Sequence, residues 1–473
     1  MRYMKINIKD ALETENLKIT AQIKLVLMLS LPAIMAELSS IVMQYIDAGM
    51  VGSLGANATA AIGLVSSSTW LIGGLCIGAA SGFSVQVAQL IGAGMDEEAR
   101  NVLRQAVLSL LLFSLVVAGI GLSISSFLPI WLGGDPVLYK ESSRYFAVYC
   151  AAIPFAQMNH LSGAMLQCSG DLKTPSILNT ALCFLDVILN LIFIFPTRTI
   201  SVLGFKIQVY GAGMGVFGAA IGTALSEVII ATLMTITVFV FSPKLKLKNG
   251  GSWKFQSRCI KTALKLAIPM SVDHTFTCGA YVAGTLIIAP LGSVALAANS
   301  LAITAESLCY MPAYGIRAAA ISLVGQSLGA GKKDLTRSFA RCSVYLGMII
   351  MSIMAVIMYI FAPHAFALLT NDPSVIRLGT TVLRMELIAE PLYGASIVAS
   401  GAFRGAGDTL FPSILNLVSM WGVRITSACF LVPIMGLKGY WLAMCVELCV
   451  RGILFLIRLY REKWIKKALY ETT

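Results

Sequence analysis

The two halves of this chain repeat at a constant offset of 237 residues. Pro32 answers to Pro269, Leu54-Gly55 to Leu291-Gly292, and Pro154 to Pro391. The stretch from Val87 to Gly94 returns from Val324 to Gly331. Gly170-Asp171 followed by Pro175-Ser176-Ile177-Leu178-Asn179 returns as Gly407-Asp408 followed by Pro412-Ser413-Ile414-Leu415-Asn416. A constant offset means one unit duplicated almost without insertion, so the copies must fold alike. The period is too long for a solenoid of short repeats. In an apolar chain it points to a two-lobed transporter with its site between or within the lobes.

Apolar residues make up 57% of the 473 and charged residues only 12%, about half the share of a soluble domain. A mean hydropathy of +0.82 agrees, and the class that fits is a polytopic membrane protein. Helix-length apolar runs fall at 25–51, 59–90, 104–131, 144–167, 176–196, 212–241, 262–288, 295–327, 338–362, 378–403, 411–434 and 439–460. These predict an all-α integral membrane protein with twelve transmembrane helices, six per half. Six is even, so both halves enter the membrane in one orientation and the repeat is parallel. The expected lobes are residues 1–250 and 251–473. Pro32 and Pro269 lie inside spans one and seven, Pro154 and Pro391 inside four and ten, and each marks a candidate kink. Thr197 to Tyr210 alternates as a short hairpin would, with Leu203-Gly204 near its turn.

The net charge of +12 is explained by where it sits rather than by nucleic acid. About 25 of the 35 Lys and Arg fall on the termini and on alternate loops, as the positive-inside rule requires when both termini are cytoplasmic. The richest loop is the linker from Ser242 to Lys261, with Lys244, Lys246, Lys248 and Asn249-Gly250-Gly251. The N-terminal segment is too charged for a cleavable signal, so the first span is expected to be its own anchor in the cell membrane. Eleven scattered cysteines, without a CxxC or a Cys/His cluster, give no disulfide framework and no metal site. No P-loop lysine-serine pair follows Gly92-x-Gly94 or Gly329-x-Gly331, and His160, His274 and His364 form no catalytic constellation, so neither ATP-driven transport nor an enzyme is supported.

Several motifs together resemble the multidrug and toxic compound extrusion (MATE) family, within the wider superfamily of multidrug, oligosaccharide-lipid and polysaccharide exporters. They are Val51-Gly52-Ser53-Leu54-Gly55, Gln89-Leu90-Ile91-Gly92-Ala93-Gly94, the glycine-aspartate-proline segments after spans four and ten, and Gly218-Ala219-Ala220-Ile221-Gly222-Thr223. The resemblance covers nearly the whole chain. It implies two six-helix lobes exporting cationic or amphipathic compounds in exchange for protons or sodium. In one branch, bending of the first helix at a proline is tied to protonation of a nearby aspartate; the matching residues here are Pro32 and Asp47.

A carboxylate within a span costs roughly 2.5–3.5 kcal/mol on insertion scales, so it needs a partner, a cavity or a proton. Asp47 lies near the outer end of span one; Asp186 lies mid-span in five, with Asn190 four residues on and on the same face. The family's usual order is asparagine first, so the pair is intact but swapped, and the carboxylate moves one turn, about 5 Å, deeper. The equivalents of Asp47, Asp186 and Asn190 in the other repeat are Gly284, Val423 and Ser427, which suggests a task specific to the first lobe. The second lobe offers Asp273 and His274 on span seven, Glu306 on span eight and Glu390 on span ten as an ion pathway, with Glu386 also on span ten. The pair that another branch carries on spans seven and ten is replaced by Thr277 and Tyr393. Glu306, Glu386 and Glu447 are expected partners for the arginines in and near the spans: Arg317, Arg384, Arg424 and Arg451. The sequence thus predicts an antiporter for organic cations, without cofactor, working as a monomer. The alternative is a lipid-linked oligosaccharide flippase of the same superfamily, whose cavity would be cationic.

Overall fold

Within a bilayer a single chain segment satisfies its own backbone hydrogen bonds only as a helix. The computed structural model, which describes residues 8–14, 17–202, 205–247, 251–465 and 468–470, places helices on all twelve spans. In the first half they are Ile19–Gly52, Ala56–Gly92, Asp96–Ile124, Tyr139–Cys168, Lys173–Ile194 and Gly215–Ile236. In the second they are Ser257–Ile288, Ser293–Gly329, Lys333–Leu369, a tenth span in two pieces (Pro373–Glu386 and Glu390–Gly405), Leu410–Met435 and Leu437–Arg461. Among the described residues, nine are long and apolar enough to cross a membrane by composition alone. The other three are the fourth, rich in polar residues such as Gln157, Asn159 and His160, the broken tenth, and the twelfth with its Glu447, Arg451 and Arg458.

The tenth span departs from the continuous helix that its sequence predicts. Pro391 sits in the first turn of the second piece, and its ring cannot continue a helix through residues 387–389. Pro32, Pro154 and Pro269, by contrast, lie inside unbroken helices. The eleventh span relaxes into π-helical turns over Val418–Ile425. The expected hairpin is present, with Pro196–Val202 antiparallel to Phe205–Ala212 and Thr199 opposite Gln208. Its turn residues, Leu203 and Gly204, lie outside the described residues, as do Lys248, Asn249 and Gly250 of the linker. The rest of the linker is tied to the third span. The Gln105 side chain donates to the Lys254 carbonyl at 2.8 Å and accepts from the Gln256 amide at 2.9 Å.

The sequence offset reappears as a pseudo-two-fold arrangement of the lobes. The second span packs on the seventh at Gly78, where a Cβ would stand 2.7 Å from Ser271 Oγ. At the repeat-related place the eighth packs on the first, and a Cβ at Gly315 would stand 2.6 Å from the Ile34 nitrogen. At the end nearest Ile8 and Tyr470 the second and eighth helices cross. There a Cβ on Gly92 would overlap the Gln326 carbonyl, and one on Gly329 would overlap the Gln89 carbonyl. The Gln89 side chain donates to the Gly405 carbonyl at 3.1 Å, and the Gln326 side chain to the Cys168 carbonyl at 2.8 Å. Described residues from both ends of the sequence join the same contact: Ile8 lies against Gly170, the Leu469 amide donates to Gln89, and the Tyr470 hydroxyl donates to Gln86. Further along, Tyr45 of the first span donates to the Thr304 carbonyl of the eighth at 2.7 Å.

Candidate functional site

The i, i+4 spacing on the fifth helix puts Asp186 and Asn190 on one buried face, at 0% and 1% exposure. That face meets the C-terminal third of the first helix, where Asp47 is half-buried. The Asn190 side-chain nitrogen donates to Asp47 Oδ1 at 2.9 Å and to Asp186 Oδ2 at 3.0 Å, so one amide bridges both carboxylates. Ser226 of the sixth span donates to Asp186 Oδ1 at 3.2 Å. Among the described residues Asn190 Oδ1 receives no hydrogen bond, and it lies against Gly222, where a Cβ would overlap it. Among the described residues no Lys or Arg forms an ion pair with either aspartate. Two carboxylates held by neutral donors alone form a site whose charge a bound cation or proton would offset.

The swapped order of Asp186 and Asn190 therefore still delivers both groups to Asp47. Beside the pair lies a cavity of about 200 Å³ lined by Tyr145, Tyr149, His160, Thr223 and Glu227. His160 and Glu227 also line a second cavity of about 530 Å³, shared between the first lobe and the eighth and tenth spans. Glu227 is held there by Asn159, whose amide donates to it at 2.8 Å.

The four second-lobe candidates fall in two places. Asp273 accepts from Asn416 at 3.1 Å and pairs with Arg404 at 3.6 Å. His274, its neighbour in sequence, instead crosses to the first lobe, seated on Gly74 with Nε2 3.3 Å from the Trp70 carbonyl. Glu306 and Glu390 meet with Glu386 at the break in the tenth span, with carboxylate oxygens of all three within 4.8 Å of one another. The expectation that Glu306 and Glu386 neutralise arginines is not met. Glu386 and Glu390 are fully buried, with no hydrogen-bond partner among the described residues. Glu447 does serve, holding Arg424 at 2.6 Å and Arg451 at 3.0 Å. Sequence reasoning missed Ser226, whose hydroxyl also bonds its own helix at Thr223 and so carries no distinguishing signal. It also missed Arg404, which reads as the end of a span yet lines the larger cavity.

Twelve helices in two lobes, with two carboxylates bridged by one amide in the first and a cavity shared by both, define a polytopic membrane transport fold. The MatE family model matches residues 32–192 and 269–430, one match in each repeat, and the chain belongs to that family. It is similar to the probable multidrug resistance protein NorM of Thermotoga maritima, at 26% identity over 93% of this chain and 92% of that protein. It is also similar to the multidrug resistance protein NorM of Aliivibrio fischeri, at 27% identity over 93% of this chain and 94% of that one. Among solved structures, a MATE protein in complex with MaL6 superposes with a TM-score of 0.86 at 21% identity, covering 93% of this chain and 97% of that chain. A point mutant of the Vibrio cholerae MATE transporter VcmN gives 0.87 at 17% identity, covering 96% of this chain and 99% of that chain. These superpositions bear on the fold.

Proposed function

We propose that this protein is a secondary antiporter of the cell membrane. It exports cationic or amphipathic organic compounds, a multidrug efflux activity, in exchange for protons or sodium by alternating access. The observation that carries the reading is the Asn190 amide shared by Asp47 and Asp186. A cation or proton at that pair offsets the repulsion between the two carboxylates and so favours drawing the first and fifth helices around it, and occupancy biases the first lobe. Substrate binding and ion binding then oppose one another through the same helices, as linkage requires. Pro32, lacking a backbone N–H in mid-helix, is where the first helix would yield.

The reading places the chain in the branch that carries its aspartates on spans one and five, with lobes divided near residue 250, both termini cytoplasmic, and a monomer as the working unit. Similarity to relatives named multidrug resistance proteins supports it. Glu306, Glu386 and Glu390, and separately Asp273 with His274, would then be secondary stations for cations or protons in the second lobe. The lipid-linked oligosaccharide alternative loses Arg424, which is buried against Glu447, and keeps Arg317 and Arg404, which line the larger cavity; the carboxylates of the first lobe favour the antiporter.

The test is efflux of a cationic dye from proteoliposomes under imposed proton or sodium gradients, with wild type beside Asp47→Asn and Asp186→Asn. Gradient-driven dye movement lost in either variant is expected. A folded wild-type protein that moves no dye under either gradient would overturn the reading.

A further inference from the structure

At one end of the molecule the seam between the lobes is filled by segments that lie outside the twelve spans. Leu469 and Tyr470 follow a span rooted in the second lobe. Trp464 there is fully buried, its ring 5.4 Å from that of Phe403, and Glu462 holds Arg341 at 2.9 Å. From that root the two residues cross to the second span of the first lobe. The Leu469 amide donates to the Gln89 side chain at 2.8 Å, and the Tyr470 hydroxyl donates to the Gln86 side chain. Tyr470 also packs against the first-lobe hydrophobic cluster that contains Phe83, Leu103 and Met234. Leu469 keeps contact with the second lobe, standing 3.7 Å from the place of a Cβ on Gly407.

The segment before the first span mirrors this arrangement. Gly170 is the repeat equivalent of Gly407, and a Cβ there would stand 3.0 Å from Ile8 Cδ1. Ile8 and Ala11 are buried in the hydrophobic cluster of the second lobe. The mirror is imperfect in one respect. Gln89 Oε1 accepts from Leu469, whereas its repeat equivalent, Gln326 Oε1, is buried with no partner among the described residues. One side of the seam is thus bonded and the other only packed. Direct contact of Gly92 with Gln326 and of Gly329 with Gln89 already closes this end. The added bonds therefore bear on how readily that closure is undone.

We propose that residues 469–470 form a strap across the seam, with Ile8 as its weaker counterpart, and that the strap sets how often the lobes part at this end. The proposal rests on the alternating-access part of the reading above and adds a release step to it. When the lobes part, the second span leaves with the first lobe, while Trp464 and Glu462 keep the root of the strap on the second. The bonds to Gln86 and Gln89 break in that movement, and Tyr470 leaves the first-lobe cluster. Losing one such bond by mutation shifts the balance toward the parted state roughly twofold to tenfold, and losing the ring as well shifts it further.

The experiment labels native Cys183, which lines the interlobe cavity, with a membrane-impermeant maleimide in right-side-out and in inside-out membrane vesicles. Labelling is read by mass spectrometry on the peptide that carries Cys183, so the other cysteines stay in place. Tyr470→Phe is expected to speed labelling from one face roughly twofold to tenfold, with no rise from the other. Tyr470→Ala should speed it more, and Ile8→Ala less than Tyr470→Ala. Unchanged rates from both faces in Tyr470→Ala overturn the strap. An equal rise from both faces also overturns it, because that is general loosening rather than release at one end. The readout needs no transport, so labelling as expected in a protein that moves no dye supports the strap while the export reading falls. If Tyr470→Ala does not fold, Tyr470→Phe, which keeps the ring, decides.

Discussion

Gly222 is the position where a single methyl group should uncouple the protein. A Cβ there would overlap Asn190 Oδ1 and stand 3.1 Å from both Asn190 Cγ and its backbone nitrogen. Gly222→Ala leaves two ways out. The amide can rotate, which breaks bonds of 2.9 and 3.0 Å to two carboxylates, each worth about 1.5–3 kcal/mol. Or the fifth and sixth helices can move apart, at about 1–3 kcal/mol for an overpacked contact. The easier route sets the loss, so the closed arrangement should weaken by about 1–3 kcal/mol, a factor of about 5 to 150. The assay pairs thermal melting of the purified protein with ion-gradient-driven dye flux. Gly119→Ala serves as the reference, because a Cβ there meets nothing within 4 Å and alanine favours a helix by about 0.5–1 kcal/mol. Gly222→Ala should melt lower than Gly119→Ala and lose at least about fivefold in coupled flux. Equal melting and equal flux in the two variants would refute the packing argument.

Three further outcomes follow from the packing. Glu447→Gln leaves the buried guanidiniums of Arg424 and Arg451 without their counter-charge and should cost about 3–5 kcal/mol, read as loss of folded protein on size-exclusion chromatography. Glu386→Gln acts in the opposite sense, since it removes one of three mutually repelling carboxylates, and should raise the melting temperature more at alkaline than at acid pH. Gly92→Ala should open the end nearest Ile8 and Tyr470, seen as faster labelling of a cysteine placed at Gln326 than in the protein with Gly92 intact.

The duplication made the twelve helices and their parallel repeat legible, because hydropathy and a fixed offset both survive in a single chain. Asp47, Asp186 and Asn190 were legible for a related reason: a carboxylate inside an apolar run is costly, and an i, i+4 pair shares a face. The break in the tenth span was not, because proline is equally at home in a kinked helix and in the first turn of a new one, and Pro154 and Pro391 read alike. The meeting of Glu306 with Glu386 and Glu390 depends on how the eighth span is rotated against the tenth, which no periodicity within either span reports. Arg404 escaped for the opposite reason, since a basic residue at a helix end ordinarily reaches water.

The crossing of Gly92 with Gln326 and of Gly329 with Gln89 has a consequence for how such a chain can arise. Each contact is the image of the other, with glycine giving way to the glutamine carbonyl of the opposite half. The patch is thus self-complementary in the manner of an isologous interface. A lone six-helix half carrying one Gln-x-x-Gly could make both contacts with a second copy of itself. Covalent fusion adds nothing to the geometry there; it raises the local concentration of the partner and frees each half to acquire charges the other lacks.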